Sequence, residues 1–270
     1  MKLKIKHTTS YLYQDKVFPE PHHLYFYPQN RSYLTVLDHT IEIAPKPDGR
    51  AIRLDVENNS YEQCWFNNLT DQLTVNVLMT LEVSELNQFN FLVEEKSKTN
   101  HTSAIKLYLE HQLLLNEELV SWLEDVENNN PVQFVGALCH KIHKKWDHTT
   151  SYSPDLLDPN SCFNSDAASC RDLAWMMIQM LRHKGYPARF VSGYSYNPEI
   201  TGHELHAWVE VWVAGAGWIG IDPSSGLFIT ELYIPLATSY HPVNTLPVQG
   251  SFRGNGTSEL QTKVDIDLID

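Results

Sequence analysis

The sequence lacks a long apolar segment and an excess of basic residues. No apolar run approaches the roughly 20 residues that a membrane-spanning helix needs, so we expect no membrane partner. Asp and Glu (33) outnumber Lys and Arg (20), and the formal net charge of −13 argues against nucleic acid or an anionic membrane surface as partner. Residues 1–6 alternate basic and apolar side chains, which is typical of a strand and not of a signal peptide.

Cysteine is scarce, and its spacing excludes the common paired motifs. The chain has four cysteines: Cys64, Cys139, Cys162 and Cys170. None forms a CxxC pair, which favours free thiols in a reducing cytoplasm, so we expect a cytoplasmic protein. His140 and His143 are one helical turn apart, but no third and fourth ligand stands nearby in the sequence. An EF-hand-like cluster of oxygen ligands is also missing, so the sequence predicts no metal site and no cofactor.

The patterning predicts two units that meet near residue 93. Residues 1–92 contain five or six short runs of alternating apolar and polar side chains, separated by turn residues. This pattern predicts a β-sandwich-like domain. A polar stretch at 94–101 is typical of a linker, and residues 93–270 are expected to form a second domain with a C-terminal tail.

A helix is predicted to begin just before Cys170. Apolar residues recur after it at helical spacing: Leu173, Met176, Met177, Met180 and Leu181. The pattern ends at Gly185 and Pro187. Cys170 therefore falls in the first helical turn, where unpaired backbone N–H groups and the helix dipole favour a thiolate over a thiol. Such a cysteine is a candidate nucleophile, and the alternative is an inert packing residue.

Three strands are predicted after this helix, with the second at 206–213. One face of that strand carries aromatic and ionisable side chains: His206, Trp208, Glu210 and Trp212. The other face is aliphatic and is expected to pack against the helix. The face that carries His206 is therefore expected to open to a cleft or to solvent.

The side on which Asp222 lies depends on the loop between the second and third strands. A four-residue loop at 214–217 would leave the Asp222 carboxylate on the face away from His206. An odd-length loop, such as 214–216, would set Trp208 opposite Asp222, so that His206 becomes its diagonal neighbour on the same face. A hydrogen bond between His206 and Asp222 therefore requires the odd loop.

Cys170, His206 and Asp222 are the residue types of a thiol nucleophile, a general base and an orienting carboxylate. The alternative is structural: a buried cysteine, a cross-strand histidine and an aspartate that caps a turn. His203 is a rival base, but its position gives it the opposite strand parity.

Four motifs occur in order: SCRDLA at 169–174, GYPARFVSGY at 185–194, HAWVEVW at 206–212 and GWIGIDP at 217–223. Together they resemble the transglutaminase-like (papain-like thiol) superfamily, in particular its bacterial cytoplasmic branch, which includes proteins described as cysteine proteases. The β region at the N-terminus resembles the N-terminal domain usual in that branch. The resemblance implies an α+β fold, in which the N-terminal β domain precedes a papain-like domain with helices packed on an antiparallel sheet.

The resemblance also implies the chemistry: Cys170 as nucleophile, His206 as base and Asp222 as orienting carboxylate. It implies acyl transfer from an amide bond of a peptide or protein substrate, with hydrolysis by a protease or amidase favoured over transfer to an amine. A catalytically silent peptide- or protein-binding module is the alternative from another class. The oligomeric state is left open.

The chain departs from the family pattern near the proposed nucleophile. Trp146 keeps an aromatic residue of the family, whereas His148 stands where a tyrosine is common. We expect the backbone N–H of Cys170 to be one oxyanion donor, and the indole of Trp146 or a group on the loop 149–168 to be the second. His148 and Trp208 are further candidate contacts to the substrate or its oxyanion.

Overall fold

We describe a computed structural model that covers residues 1–92, 103–111, 113–127, 130–150, 155–200 and 202–269. The predicted linker at 94–101 lies outside the described residues. The fold is α+β with sheets that are almost wholly antiparallel, as predicted. Within the described ranges, no helix combines the length and the apolar character needed to cross a membrane.

The N-terminal region forms two facing antiparallel sheets. Its strands are β1 (Lys2–Pro19), β2 (His22–Leu24), β3 (Leu34–Ala44), β4 (Gly49–Leu54), β5 (Ser60–Trp65) and β6 (Thr70–Val83). The order β1–β6–β3 forms one sheet, and β2–β5–β4 forms the other. Alternating residues of β1, such as Leu3 and Ile5, are fully buried in a core that both sheets share.

The second region combines helices with a five-stranded sheet. Its helices are α1 (Ser103–Lys106), α2 (Glu117–Glu124), α3 (Pro131–Lys145), α4 (Pro159–Phe163) and α5 (Cys170–His183), with 3-10 turns at Leu107–Leu109 and Pro242–Thr245. Its strands are β7 (Asp147–His148), β8 (Ala167–Ala168), β9 (Ala188–Ser195), β10 (Leu205–Val213), β11 (Gly217–Asp222), β12 (Leu227–Phe228) and β13 (Tyr233–Ser239). The main sheet has the order β12–β11–β10–β9–β13.

The C-terminal strands return to the N-terminal sheets. They are β14 (Val248–Gln249), β15 (Phe252–Arg253) and β16 (Ser258–Ile269). β16 pairs antiparallel with β1 from Lys2↔Ile269 to Tyr13↔Ser258. The predicted division into units 1–92 and 93–270 is corrected here, because β16 supplies the backbone partners that one edge of β1 would otherwise lack.

Helix α5 packs on the central strand β10, as the alternation of side chains predicted. The aliphatic face of β10, including Ala207, Val209 and Val211, is at most 1% exposed and belongs to the core that contains α5. The helix ends at His183, and Gly185 then adopts φ +82°, a conformation that favours glycine after a helix.

The opposite face of β10 differs from the prediction. Trp208 is fully buried and Glu210 is 3% exposed, because this face is covered by the N-terminal region and by β13. Arg31 Nη2 donates a hydrogen bond to Glu210 Oε1 at 2.7 Å. The end of this face that carries His206 opens to a cleft.

Candidate active site

A capping box fixes the position of Cys170 at the start of α5. The Ser169 hydroxyl accepts a hydrogen bond from the backbone N–H of Asp172, and the Asp172 carboxylate accepts one from the backbone N–H of Ser169. The other Asp172 oxygen accepts from the backbone N–H of Leu157, 2.9 Å away, which holds the preceding loop against the helix. Cys170 is thereby held at the first helical position, partly exposed to the cleft.

The β10–β11 loop has the odd length that the site requires. Val213 pairs with Gly217, so the loop is 214–216, and the register continues to Val209↔Ile221. Asp222 therefore follows on the face that carries His206, and His206 Nε2 lies 2.8 Å from Asp222 Oδ2. The odd-loop alternative is confirmed.

Asp222 is 1% exposed and accepts hydrogen bonds on both carboxylate oxygens. Tyr233 donates to Oδ2 at 2.9 Å, whereas the Ser224 hydroxyl and backbone N–H donate to Oδ1 at 2.6 and 2.9 Å. Burial raises the pKa of this carboxyl, but the charge and hydrogen bond of His206, with the other donors, lower its pKa to about 2. The carboxylate is therefore ionised throughout the neutral range.

Three groups act on the Cys170 sulfur: His148, His206 and the backbone N–H of Ala207. Burial raises the pKa of the thiol, but these donors outweigh it and lower the pKa to about 6. Burial lowers the pKa of His206, yet Asp222 and the cysteine together hold that pKa well above its usual value. A thiolate–imidazolium pair is therefore the favoured state at neutral pH.

The other three cysteines lack this environment. Cys64, Cys139 and Cys162 are fully buried, and burial raises the pKa of each thiol. Cys170 therefore differs from the other three cysteines in having a lowered thiol pKa, which is typical of a nucleophilic cysteine.

A cleft of about 600 Å³ opens beside the sulfur. Hydroxyl groups make up much of its wall: Thr149, Thr150, Ser195, Ser224, Ser225 and Tyr233. His148 lines the same cleft as Cys170, and its interaction with the sulfur raises the pKa of His148 by more than its partial burial lowers it. Across the residues that the structure describes, no group of three or more His, Cys, Asp or Glu side chains is placed to hold a metal ion.

Neither indole that the sequence proposed as a substrate or oxyanion contact lines this cleft. Trp146 is 3% exposed and packs among the aromatic rings of Trp122 and Phe163. Trp208 is fully buried behind His206, with ring centroids 6.4 Å apart. The predictions that Trp146 and Trp208 contact the substrate or its oxyanion are corrected. The helical core encloses the Trp146 ring, and the layer against the N-terminal region encloses the Trp208 ring.

The rival base His203 also lies apart from the sulfur. Its ring stacks on Tyr196, and its Nε2 is 3.2 Å from the backbone oxygen of Asn197. The backbone N–H of His203 donates to Val264 O on β16. These contacts give His203 a structural environment and leave His206 as the histidine that joins Cys170 to Asp222.

Sequence reasoning missed two side chains that hold Asp222. Ser224 had a recognisable signal, since a serine two residues after an aspartate is typical of a local turn in which the carboxylate accepts the backbone N–H. Tyr233 had none, because it comes from β13, which pairs with β9 and not with the strand that carries Asp222.

The comparisons with known proteins bear on the family and the fold of the chain. Residues 120–223 match the family model of the transglutaminase-like superfamily, and residues 3–82 match that of the bacterial transglutaminase-like N-terminal region. A crystal structure from Cytophaga hutchinsonii, of a protein provisionally named a cysteine protease, superposes with a TM-score of 0.76 at 17% identity. The match covers 100% of this chain and 92% of that one, and it shows a shared fold.

Two relatives with higher identity match only part of their own length. An uncharacterised protein of Mycobacterium leprae is 29% identical over 149 residues, which is 52% of this chain and 52% of that protein. The protein-glutamine gamma-glutamyltransferase of Pseudomonas aeruginosa is 36% identical over 70 residues, 23% of this chain and 10% of that protein. The chain thus spans about half the length of the mycobacterial relative and far less of the other. From its two family matches, at residues 3–82 and 120–223, the chain belongs to the transglutaminase-like superfamily.

Proposed function

We propose that this chain is a thiol hydrolase that cleaves amide bonds in peptides or proteins. Cys170 is the nucleophile, His206 the general base and acid, and Asp222 the carboxylate that orients the imidazole. The observation that carries the proposal is the hydrogen bond between His206 and Asp222 in the same cleft that Cys170 lines from the start of α5.

The reaction follows from the protonation states of this series. The Cys170 thiolate attacks the amide carbon and forms an S–C bond, while the carbonyl electron pair moves to oxygen. As the C–N bond breaks, His206 gives its proton to the leaving amine, and a thioester remains. Water then attacks the thioester as His206 takes its proton, and the C–S bond breaks to return the thiolate and the imidazolium.

One backbone N–H and one loop at the cleft support stabilisation of the oxyanion. The N–H of Cys170 at the first helical position has no acceptor within its own helix and lies at the positive end of the dipole. We place the second donor on the loop that begins at Thr149, because Thr149 and Thr150 line the cleft beside the sulfur.

Hydrolysis suits the cleft better than transfer to an amine. Most of the residues that line it carry polar side chains, with Ile200 and Leu205 as aliphatic exceptions, and these polar groups can hydrogen-bond a water molecule that attacks the thioester. Transfer to an amine is the second candidate, and the relative from Pseudomonas aeruginosa that is named a glutamyltransferase favours it.

Site-resolved alkylation tests the nucleophile. The protein is treated with iodoacetamide over pH 4 to 10, and labelling of each cysteine is read by mass spectrometry. We expect labelling of Cys170 to be half-maximal near pH 6, and to move above pH 8 in urea or in His206→Ala. A Cys170 midpoint of 8 or higher in the folded wild type would favour the silent binding module instead.

A product assay separates the two reactions. Peptide mixtures with glutamine-containing members are incubated with the wild type or Cys170→Ser, with and without a primary amine, and are read by mass spectrometry. New peptide ends or glutamine deamidation indicate hydrolysis, whereas amine adducts on glutamine indicate transamidation. Products that appear equally with Cys170→Ser would contradict both.

A further inference from the structure

His148 is held beside the nucleophile by a short parallel strand pair. β7 pairs with β8, so that His148 lies in register with Ala168, two residues before Cys170. The backbone N–H of Asp147 donates to Asp166 O at 3.2 Å, and that of Thr149 donates to Ala168 O at 3.0 Å. The backbone on both sides of His148 is therefore tied to the segment that leads into α5.

The His148 ring uses this position to line the cleft beside Cys170. His206 lines the same cleft from β10, and the cysteine raises the pKa of both histidines. The ring of His206 is fixed by Asp222, since its Nε2 is taken by that carboxylate. Two imidazoles from different elements thus share one cleft with this sulfur, and only His206 has the aspartate behind it.

We propose that His148 is a catalytic residue that donates a second hydrogen bond to the Cys170 thiolate and stabilises it jointly with His206. The inference rests on the proposed function and assigns His148 a separate task within it. His206 must give up its proton to the leaving amine, and it is neutral when water attacks the thioester. His206 regains a proton only as water attacks, whereas the N–H of His148 keeps its proton through both steps and can donate to the sulfur whenever the thiolate forms.

The charges around the sulfur are consistent with this task. His148 and His206 both face it, Arg171 adds a positive charge nearby, and Asp222 lies behind His206. Two hydrogen-bond donors stabilise a thiolate among these groups more strongly than they would stabilise a neutral thiol.

The test compares three variants by the pH midpoint of iodoacetamide labelling at Cys170. His148→Ala removes the donor, and His148→Tyr restores one as an O–H group. His140→Ala is the matched control, because His140 is an exposed histidine on α3. His148 is itself exposed, so we expect all three variants to fold, which thermal melting verifies.

We expect His148→Ala to raise the labelling midpoint by about one to two pH units. His148→Tyr should recover at least half of that shift, and His140→Ala should match the wild type. The proposal is overturned if the midpoint of His148→Ala equals that of the wild type, or if His148→Tyr recovers nothing. If the wild-type midpoint is near 6 and depends on His206 alone, the proposed function stands and only this inference fails.

Discussion

Tyr233 Oη lies 2.9 Å from Asp222 Oδ2, the same oxygen that receives His206 Nε2 at 2.8 Å. The other oxygen, Oδ1, receives the hydroxyl and the backbone N–H of Ser224. Every one of these partners is a donor. The position therefore demands an acceptor on both sides, which a carboxylate provides and an amide does not.

Asp222→Asn should disable the nucleophile while it preserves the size of the side chain. Its NH₂ group must face either His206 and Tyr233 or Ser224, and all of these contribute donors. We expect the labelling rate of Cys170 at pH 6 to fall on the order of 10²-fold, because the imidazolium loses its counter-charge.

Asp147→Asn is the matched control, since Asp147 is an exposed aspartate on β7. Its labelling rate should equal that of the wild type. A rate for Asp222→Asn within about threefold of wild type would show that the carboxylate does not support the thiolate, since a one-unit shift already means about tenfold.

Stability should fall in acid through His7. This ring is 1% exposed and joins β1 to β9, with Nδ1 2.8 Å from Tyr194 Oη. Burial lowers the pKa of His7 from 6.5 to about 4. Between these values the unfolded chain carries a proton here that the folded chain does not, so the free energy of unfolding drops as the pH falls, by about 2–3 kcal/mol at pH 4.5.

Urea unfolding at pH 7 and at pH 4.5 measures this effect. His7→Gln should be less stable than the wild type at pH 7, because a buried hydrogen-bonded ring is lost, but it should lose less stability on acidification. An equal loss in both proteins would assign the acid sensitivity to other groups.

Glu210 should be among the most sensitive positions of the sheet. The Glu210 carboxylate bridges the guanidinium groups of Arg189 and Arg31. Burial raises the pKa of this carboxyl, but the two arginines have the larger effect, so its pKa is lowered overall. Arg189 also stacks on Trp218, 4.2 Å from the ring centroid, so it stays in place when its partner is removed. We expect Glu210→Ala to cost about 3–5 kcal/mol, because it leaves buried charge unpaired.

The control for Glu210 is an exposed ion pair of the same charge type. Asp267 and Lys6 lie 3.9 Å apart, and both side chains are more than half exposed. Asp267→Ala should change the free energy of unfolding by at most about 1 kcal/mol in urea titrations. Similar losses for the two variants would mean that the Glu210 bridge contributes no more than a surface pair.

Gly193→Ala should disturb both the sheet and the site. Gly193 pairs with His206 on β10, and a Cβ at this position would lie 2.1 Å from Ile234 O and 2.8 Å from Trp208 Cη2. Either β13 or the indole behind His206 must move. We expect a loss of at least about 2 kcal/mol and a higher labelling midpoint for Cys170.

Gly185→Ala separates backbone strain from crowding. Gly185 has φ +82°, and a Cβ there would meet nothing within 4 Å. This variant should lose about 1 kcal/mol through strain alone and keep the Cys170 midpoint. A shifted midpoint in this variant as well would mean that the site responds to any loss of stability.

Sequence alone predicted the parts of this site that local patterns determine. The spacing around Cys170 located α5, and the alternation along β10 assigned His206 and the aliphatic residues to opposite faces. The sequence did not determine the length of the β10–β11 loop, because a run of alternating alanine and glycine permits loops of three or four residues. Gly217 resolves this by pairing with Val213.

Contacts between segments that are distant in sequence could not be predicted from local patterns. Trp208 was expected on an open face, but Tyr233 packs on its ring and Arg31 on the neighbouring Glu210. No local pattern connects these residues to β10, because the segments are far apart in sequence. The same limit explains why β16 was assigned to the second unit.

The pairing of β16 with β1 has a consequence for any attempt to treat the N-terminal region as a detachable module. β1 is an interior strand only because β6 lies on one side and β16 on the other. A fragment that stops at residue 92 would present β1 from Lys2 to Tyr13 as a bare edge, open to pairing with another copy of itself. A gene fusion that transplants this region therefore has to carry two separate stretches of the chain.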